Sequence, residues 1–185
     1  MAGPVSIGIV LAPEGFDVKA ALPDVADSKT LSPKKREAIY QRAVELRENG
    51  SISWGVFSES SRTVDTVGIA EAVRRAIERG LASLCPQADD VFIYLDGSLA
   101  APPLYQQETI IRGDALIPVI SLASVVAKVT RDRFMETEIA PKYPLYGFEE
   151  HKGYGSAAHI KAIQKYGPSA IHRKSFLSRI LQGAA

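Results

Sequence analysis

Cysteine is almost missing from this chain. Its 185 residues contain one, Cys85, which excludes an internal disulfide framework and any cysteine-rich zinc site. Long apolar runs are missing too. No stretch approaches the roughly 20 residues that a membrane-spanning helix needs. The opening MAGPVSIGIVLAPEG has no basic region of the kind that starts a secretory signal. The expectation is a cytoplasmic protein with no membrane association, monomeric by default. Several catalytic signatures are also absent. There is no GxxxxGK[ST] loop, no GxGxxG after a strand and no GxSxG elbow. YLDGS, residues 94–98, is close to the DxDG of aspartyl-phosphatases, but Tyr94 and Leu95 stand where the nucleophile is needed.

One absence is local. From His151 to Ala185 there is no Asp or Glu, while Lys152, Lys161, Lys165, Arg173, Lys174 and Arg179 are present with His151, His159 and His172. The net charge of +1 conceals this asymmetry. A one-sided block suggests a polyanion such as a phosphate backbone, or else a solvated basic pair of helices.

What is present reads as one α/β domain. The 46% hydrophobic and 23% charged composition is that of a globular chain long enough to bury a core. Val5 to Leu11 is a strand, and 25–31 (VADSKTL) a loop. Ser32-Pro33 starts a helix that runs to Glu48, where Asn49-Gly50 stops it. Ser51 to Phe57 alternates as a half-buried strand, and Asp65 to Leu84 forms a second helix. Val91 to Leu95 is a short buried strand, and Ile110-Ile111 the end of another. A long helix spans Ile120 to about Ile139 and is closed by Pro141 and Pro144. Ser156 caps a helix to Tyr166, and a short helix follows near Phe176. Strands alternating with helices predict a mixed sheet flanked by helices, with a small C-terminal helical part. The expected core runs from 1 to 140. A basic helical segment, 141–185, packs on it within the same domain.

Asp96 and Asp114 form the best constellation. Each follows an apolar run, adjoins a glycine and precedes a break. If their strands are neighbours, both carboxylates reach one point, as a hard divalent cation requires. An Asp-Gly turn is the plainer alternative. Ser124 and Lys128 lie four apart on an apolar helix and share a face. That lysine either snorkels from a buried face or reaches a phosphate. Arg131, Asp132 and Arg133 read as a solvated helix end. HKGYGSAAH (151–159) places Tyr154 between two glycines and before the cap Ser156, so that it can stack on a sugar or base. DSKT (27–30) offers Ser28 and Lys29 as phosphate ligands, or is simply a capped turn.

In order along the chain, AGPV (2–5), DSKTLS (27–32), VDTVGIAEA (64–72), LDG (95–97), RGDA (112–115), SLASVVAKVTRDRFM (121–135), YPLYGFEEHKGYGS (143–156) and HRKSF (172–176) resemble ribonuclease HII, the type 2 ribonuclease H. The resemblance implies a ribonuclease H-like fold. It also implies an endonuclease that cuts RNA in RNA–DNA hybrids and ribonucleotides embedded in duplex DNA, 5′ to the ribonucleotide, with Mg2+ or Mn2+. Asp96 and Asp114 would then be metal carboxylates in a two-metal hydrolysis. Lys29, Ser28, Ser124 and Lys128 would hold phosphates, and Tyr154 would stack at the sugar beside the ribonucleotide. Lys152 and Arg173 of the basic tail would track the duplex. The sequence departs from the family's pattern in three places. The opening Asp-Glu and the Gly-Arg-Gly loop that precede AGPV in the family have no counterpart here. Gly68 stands for a usual Asn, and Ser156 for a usual Thr. The resulting expectations are a working enzyme whose start lies upstream, a form that binds nucleic acid without cutting, or a site completed by a partner chain.

Overall fold

A computed structural model of the chain describes residues 1–85 and 87–182. The last three positions of the basic stretch lie outside these. The chain divides into two compact units. One comprises Met1–Val5, Ser58–Ala72 and Thr130–Ala185; the other comprises Ser6–Phe57 and Val73–Val129.

The second unit carries most of the strands. Strand β1 (Val5–Leu11) pairs with β2 (Ser53–Glu59), and β3 (Phe92–Asp96) pairs in parallel with β4 (Gln106–Ile110). After β1 a short helix, α1 (Val18–Ala21), is capped by Asp17, which the sequence reading missed. Helix α2 (Pro33–Glu48) starts as expected: the Ser32 hydroxyl accepts the Lys35 N–H, and Pro33 is the first helical residue. Ile39, Ala43 and Leu46 face the core from α2. There they meet Trp54, whose indole N–H donates to the Ala43 carbonyl at 2.8 Å.

The predicted helix from Asp65 to Leu84 is two helices. Helix α3 (Ser61–Val67) starts earlier, because Ser60 caps it. Gly68 then adopts φ +82°, outside any helix, and α4 (Ile69–Leu84) restarts beyond it. The glycine supplies a conformation that side-chain-bearing residues avoid. Strand β3 also differs from expectation, since only one of its faces is covered. Leu95 is buried, but Phe92 and Tyr94 are 50% and 46% exposed. The apolar run therefore records pairing with β4, not burial on both faces.

Two further helices follow β4: α5 (Gly113–Leu116) and α6 (Pro118–Phe134). The long helical pattern continues past α6 only as a wider turn over Met135–Ile139 and a tighter one over Ala140–Lys142. In the second unit α6 is the core helix. Leu122, Val125 and Val126 are fully buried among Val18, Leu22, Ile39 and Trp54. It lies directly on β1, because a Cβ at Gly8 would penetrate the Ala123 carbonyl oxygen.

The other unit has its own core of Ala2, Met135, Ile139, Tyr146 and Phe148. Helices α7 (Phe148–His151), α8 (Ala157–Tyr166) and α9 (Ser178–Gln182) complete it. Ser156 caps α8 as expected, accepting the His159 N–H. No helix among the described residues is long and apolar enough to cross a membrane.

The close approach at Gly8 yields a prediction. Gly8→Ala forces α6 off β1 and destabilises the fold by about 2 kcal/mol, within the range for overpacked cores. Urea denaturation with an unchanged midpoint would refute the contact.

Candidate active site

The two aspartates of the sequence reading come together in the second unit. Asp96 ends β3 and pairs in register with Ile110 of β4. The chain then leaves β4 through Arg112, which takes the left-handed conformation at φ 59°. Such a backbone is uncommon for a residue other than glycine and costs about 1 kcal/mol or more. It turns RGDA sharply enough for α5 to begin at Gly113. Gly113 lies against the strand end: a Cβ there would sit 3.5 Å from the Asp96 Cα and 2.7 Å from the Ile120 Cδ1. The Asp114 N–H consequently donates to Asp96 Oδ1 at 3.4 Å. The Asp114 carbonyl accepts the Ser121 hydroxyl of α6 at 2.8 Å. Asp114 is 7% exposed, and Asp96 is half-buried.

Lys29 belongs to the same group. Its Nζ lies 3.1 Å from Asp114 Oδ2, with 76% of the lysine side chain exposed and 10% of the aspartate's. At that exposure the ion pair adds little stability. Its effect is on charge. The hydrogen bond and charge of Asp114 come first, with Asp27 and Asp96 adding to them, and together they raise the Lys29 pKa above the ordinary lysine value. Lys29 therefore keeps its charge throughout the neutral range. The turn that presents it is braced from both sides. Asp27 Oδ1 accepts the Lys29 N–H at 2.9 Å, an Asx-turn, and the Arg36 guanidinium donates to the Ser28 and Leu31 carbonyls. The Ser28 hydroxyl meets the Ser124 hydroxyl at 2.7 Å, joining the turn to α6. Lys128 lies one helical turn beyond Ser124 and is half-buried. DSKT is thus a capped turn that also delivers a lysine to a carboxylate.

Tyr154, Lys152 and Arg173 lie in the other unit, where several donors of the basic stretch are already engaged. Lys152 Nζ bonds Glu136 Oε2 at 2.8 Å. Arg173 donates to the Gly3 and Pro4 carbonyls at 3.0 and 2.8 Å. Arg131 corrects the expectation of a solvated helix end. Its side chain is only 10% exposed and donates to the carbonyls of Pro4, Ala2 and Lys152. Two guanidiniums therefore clamp the AGPV segment. Tyr154 is exposed, with the Arg131 guanidinium 4.7 Å from its ring centroid.

Two of the histidines are not basic surface either. His159 and His172 are buried, and their Nε2 atoms lie 2.9 Å apart. Burial, above all, pushes both pKa values down to about 4. Asp65 was also missed. It accepts the N–H groups of Lys174 and Ser175 and the Ser175 hydroxyl. Burial alone would raise its pKa, but these bonds hold it below the usual carboxylate range. The sequence marks Asp65 only as a helix start, because its partners lie more than 100 positions away.

The ribonuclease HII family profile matches residues 1–179. A Caldicellulosiruptor bescii protein named ribonuclease HII is 40% identical over 181 residues, which span 98% of this chain and 82% of that one. One from Natranaerobius thermophilus is 42% identical over 82% of this chain and 73% of that one. This chain belongs to the ribonuclease HII family. The family comprises nucleases that act on nucleic acid and depend in general on divalent metal. The α/β fold is that of solved ribonuclease HII structures. A chain in the PCNA:RNase HII complex from Archaeoglobus fulgidus aligns with TM-score 0.73 at 22% identity, covering 97% of this chain and 90% of that one. The ribonuclease H2 from Pyrococcus horikoshii OT3 aligns at 0.69 and 24%, covering 99% and 92%.

The buried histidines yield a prediction with a definite sign. Their folded-state pKa values of about 4 lie below the ordinary 6.5. The unfolded chain therefore takes up protons first as pH falls. Stability should decline from about pH 6.5 downward, with the decline ending near pH 4. Imidazole signals of His159 and His172 should stay flat by NMR from pH 8 to about 5; titration of either near 6.5 would contradict their burial.

Proposed function

We propose that this chain is the catalytic part of an endonuclease for ribonucleotides in duplexes. It cuts the RNA strand of RNA–DNA hybrids and ribonucleotides embedded in duplex DNA, 5′ to the ribonucleotide, leaving a 3′-hydroxyl and a 5′-phosphate. One observation carries this reading: Asp96, Asp114 and Lys29 gather at the end of a parallel strand pair, where α/β folds bind ligands.

The donor set fits Mg2+ or Mn2+. Carboxylate oxygens suit hard cations, and Mg2+ is commonly held by one or two carboxylates together with substrate phosphate and water. Asp96 and Asp114 would hold it; a bound cation supplies charge neutralisation at the scissile phosphate and a more acidic water. The protein's own groups do the rest. Lys29, charged at neutral pH, offsets phosphate charge next to the carboxylates. Ser28 and Ser124 share one hydrogen bond between two hydroxyl donors, so the pair can offer the second proton to a phosphate oxygen. Lys128 adds a cation on the same face of α6 as Ser124. Tyr154 supplies an exposed aromatic face for the sugar beside the ribonucleotide. Lys152, which also bonds Glu136, and Arg173, which also holds the Gly3 and Pro4 carbonyls, would track the duplex.

A second reading is binding without cutting. It draws on the carboxylate count: among the described residues no group of three or more His, Cys, Asp or Glu side chains could hold a metal ion.

The test is cleavage of a duplex carrying one ribonucleotide, with Mg2+ and then Mn2+. Cutting 5′ to the ribonucleotide should fall to background in Asp96→Asn and in Asp114→Asn. Activity that survives both substitutions would remove these residues from the proposal. Salt-sensitive duplex binding with no cutting under either metal would favour the second reading.

A further inference from the structure

We propose that His159 and His172 are positioning residues for Tyr154, fixing its place through the Tyr154 backbone carbonyl in one arrangement of protons. The proposal rests on the reading of Tyr154 as a duplex contact.

The hydrogen-bond partners determine the protons. The Ser169 main-chain N–H can only donate, and it meets His172 Nδ1 at 2.9 Å. That nitrogen must therefore carry the lone pair, and a neutral His172 has its proton on Nε2. His172 Nε2 faces His159 Nε2 at 2.9 Å. His159 Nδ1 faces the Tyr154 carbonyl oxygen at 2.8 Å, and a carbonyl can only accept. His159 therefore carries its proton on Nδ1 and accepts at Nε2. The chain of donation runs one way, from Ser169 through His172 and His159 to Tyr154. An added proton would set two N–H groups against each other.

His151 braces the pair. It accepts the Gly153 N–H at Nδ1 and so donates from Nε2 to the Tyr146 carbonyl at 2.8 Å. Its ring stacks on His159 with centroids 4.4 Å apart. The loop is held at neighbouring points as well. The Gly153 carbonyl accepts the Ala2 N–H, and the Lys152 carbonyl accepts from Arg131.

Every carbonyl from Lys152 to Tyr154 therefore has a named partner, yet Tyr154 itself is 45% exposed. A core needing only bulk beside Phe148 and Tyr146 would be filled more cheaply by apolar side chains. A buried, directional polar chain specifies position instead.

The test is anisotropy of a labelled duplex carrying one ribonucleotide, against the all-DNA duplex, in EDTA at fixed salt. Tyr154→Ala should lower the affinity ratio by about tenfold, the scale of one lost stacking contact. His159→Leu should produce a similar loss. Combining the two should add nothing further, because both act through one ring. His159→Asn, whose amide can replace the Nδ1–H donor, should retain most of the ratio. If His159→Leu does not fold, His159→Gln replaces it, since its longer amide can meet His172 Nε2 but leaves the Tyr154 carbonyl without its side-chain donor. A folded His159→Leu or His159→Gln with the unaltered ratio, or losses that add to those of Tyr154→Ala, would overturn the positioning role while leaving Tyr154 as a contact. An unchanged ratio in Tyr154→Ala would overturn the contact itself and, with it, the proposal.

Discussion

The contact between α6 and β1 at Gly8 organises the second unit. With no Cβ between them, the helix backbone lies directly on the strand, and Leu122, Val125 and Val126 are driven into the core. The same helix presents Ser121 to the Asp114 carbonyl and Ser124 to Ser28. One packed element thus sets two loops that are remote from each other in sequence. A shift in α6 would move the aspartate and the lysine turn together. Close packing explains why, since interiors of crystal-like density transmit displacement rather than absorb it.

Glycine performs a related task at the strand end. Gly113 allows α5 to begin against Asp96, and the left-handed Arg112 makes the necessary corner. The carboxylates could repel each other. Their separation is bridged instead by a main-chain N–H, and the Lys29 ammonium neutralises the more buried of the two. Such a site keeps its negative oxygens available while limiting the cost of burying them.

The unit built on Met1–Val5, Ser58–Ala72 and Thr130–Ala185 follows another logic. It uses polar groups to hold backbone. Arg131 and Arg173 gather the carbonyls of residues 2–4, Asp65 gathers the N–H groups of Lys174 and Ser175, and the histidines hold the Tyr154 carbonyl. Charged side chains of the chain's most basic stretch are therefore partly structural. A charge count cannot separate an arginine that meets phosphate from one that satisfies carbonyls, since the guanidinium has the same fork of donors in both settings.

By itself the sequence determined the α/β class, the starts of α2 and α8 and the pair of candidate carboxylates. These are local signals: Ser32 and Ser156 cap because a hydroxyl at that position accepts an N–H three residues on, and Asp96 and Asp114 stand out because apolar runs end beside them. The order of short motifs was also legible, and it named the family. Only the tertiary structure decided that Lys29 sits on Asp114, that the Arg131 side chain is largely buried and that burial lowers the His159 and His172 pKa values to about 4. It also decided that the helix breaks at Gly68 and that one face of β3 is open. Each of these depends on what a distant segment brings to the residue. Burial and partner identity are properties of a place in the fold, and side-chain type alone does not carry them.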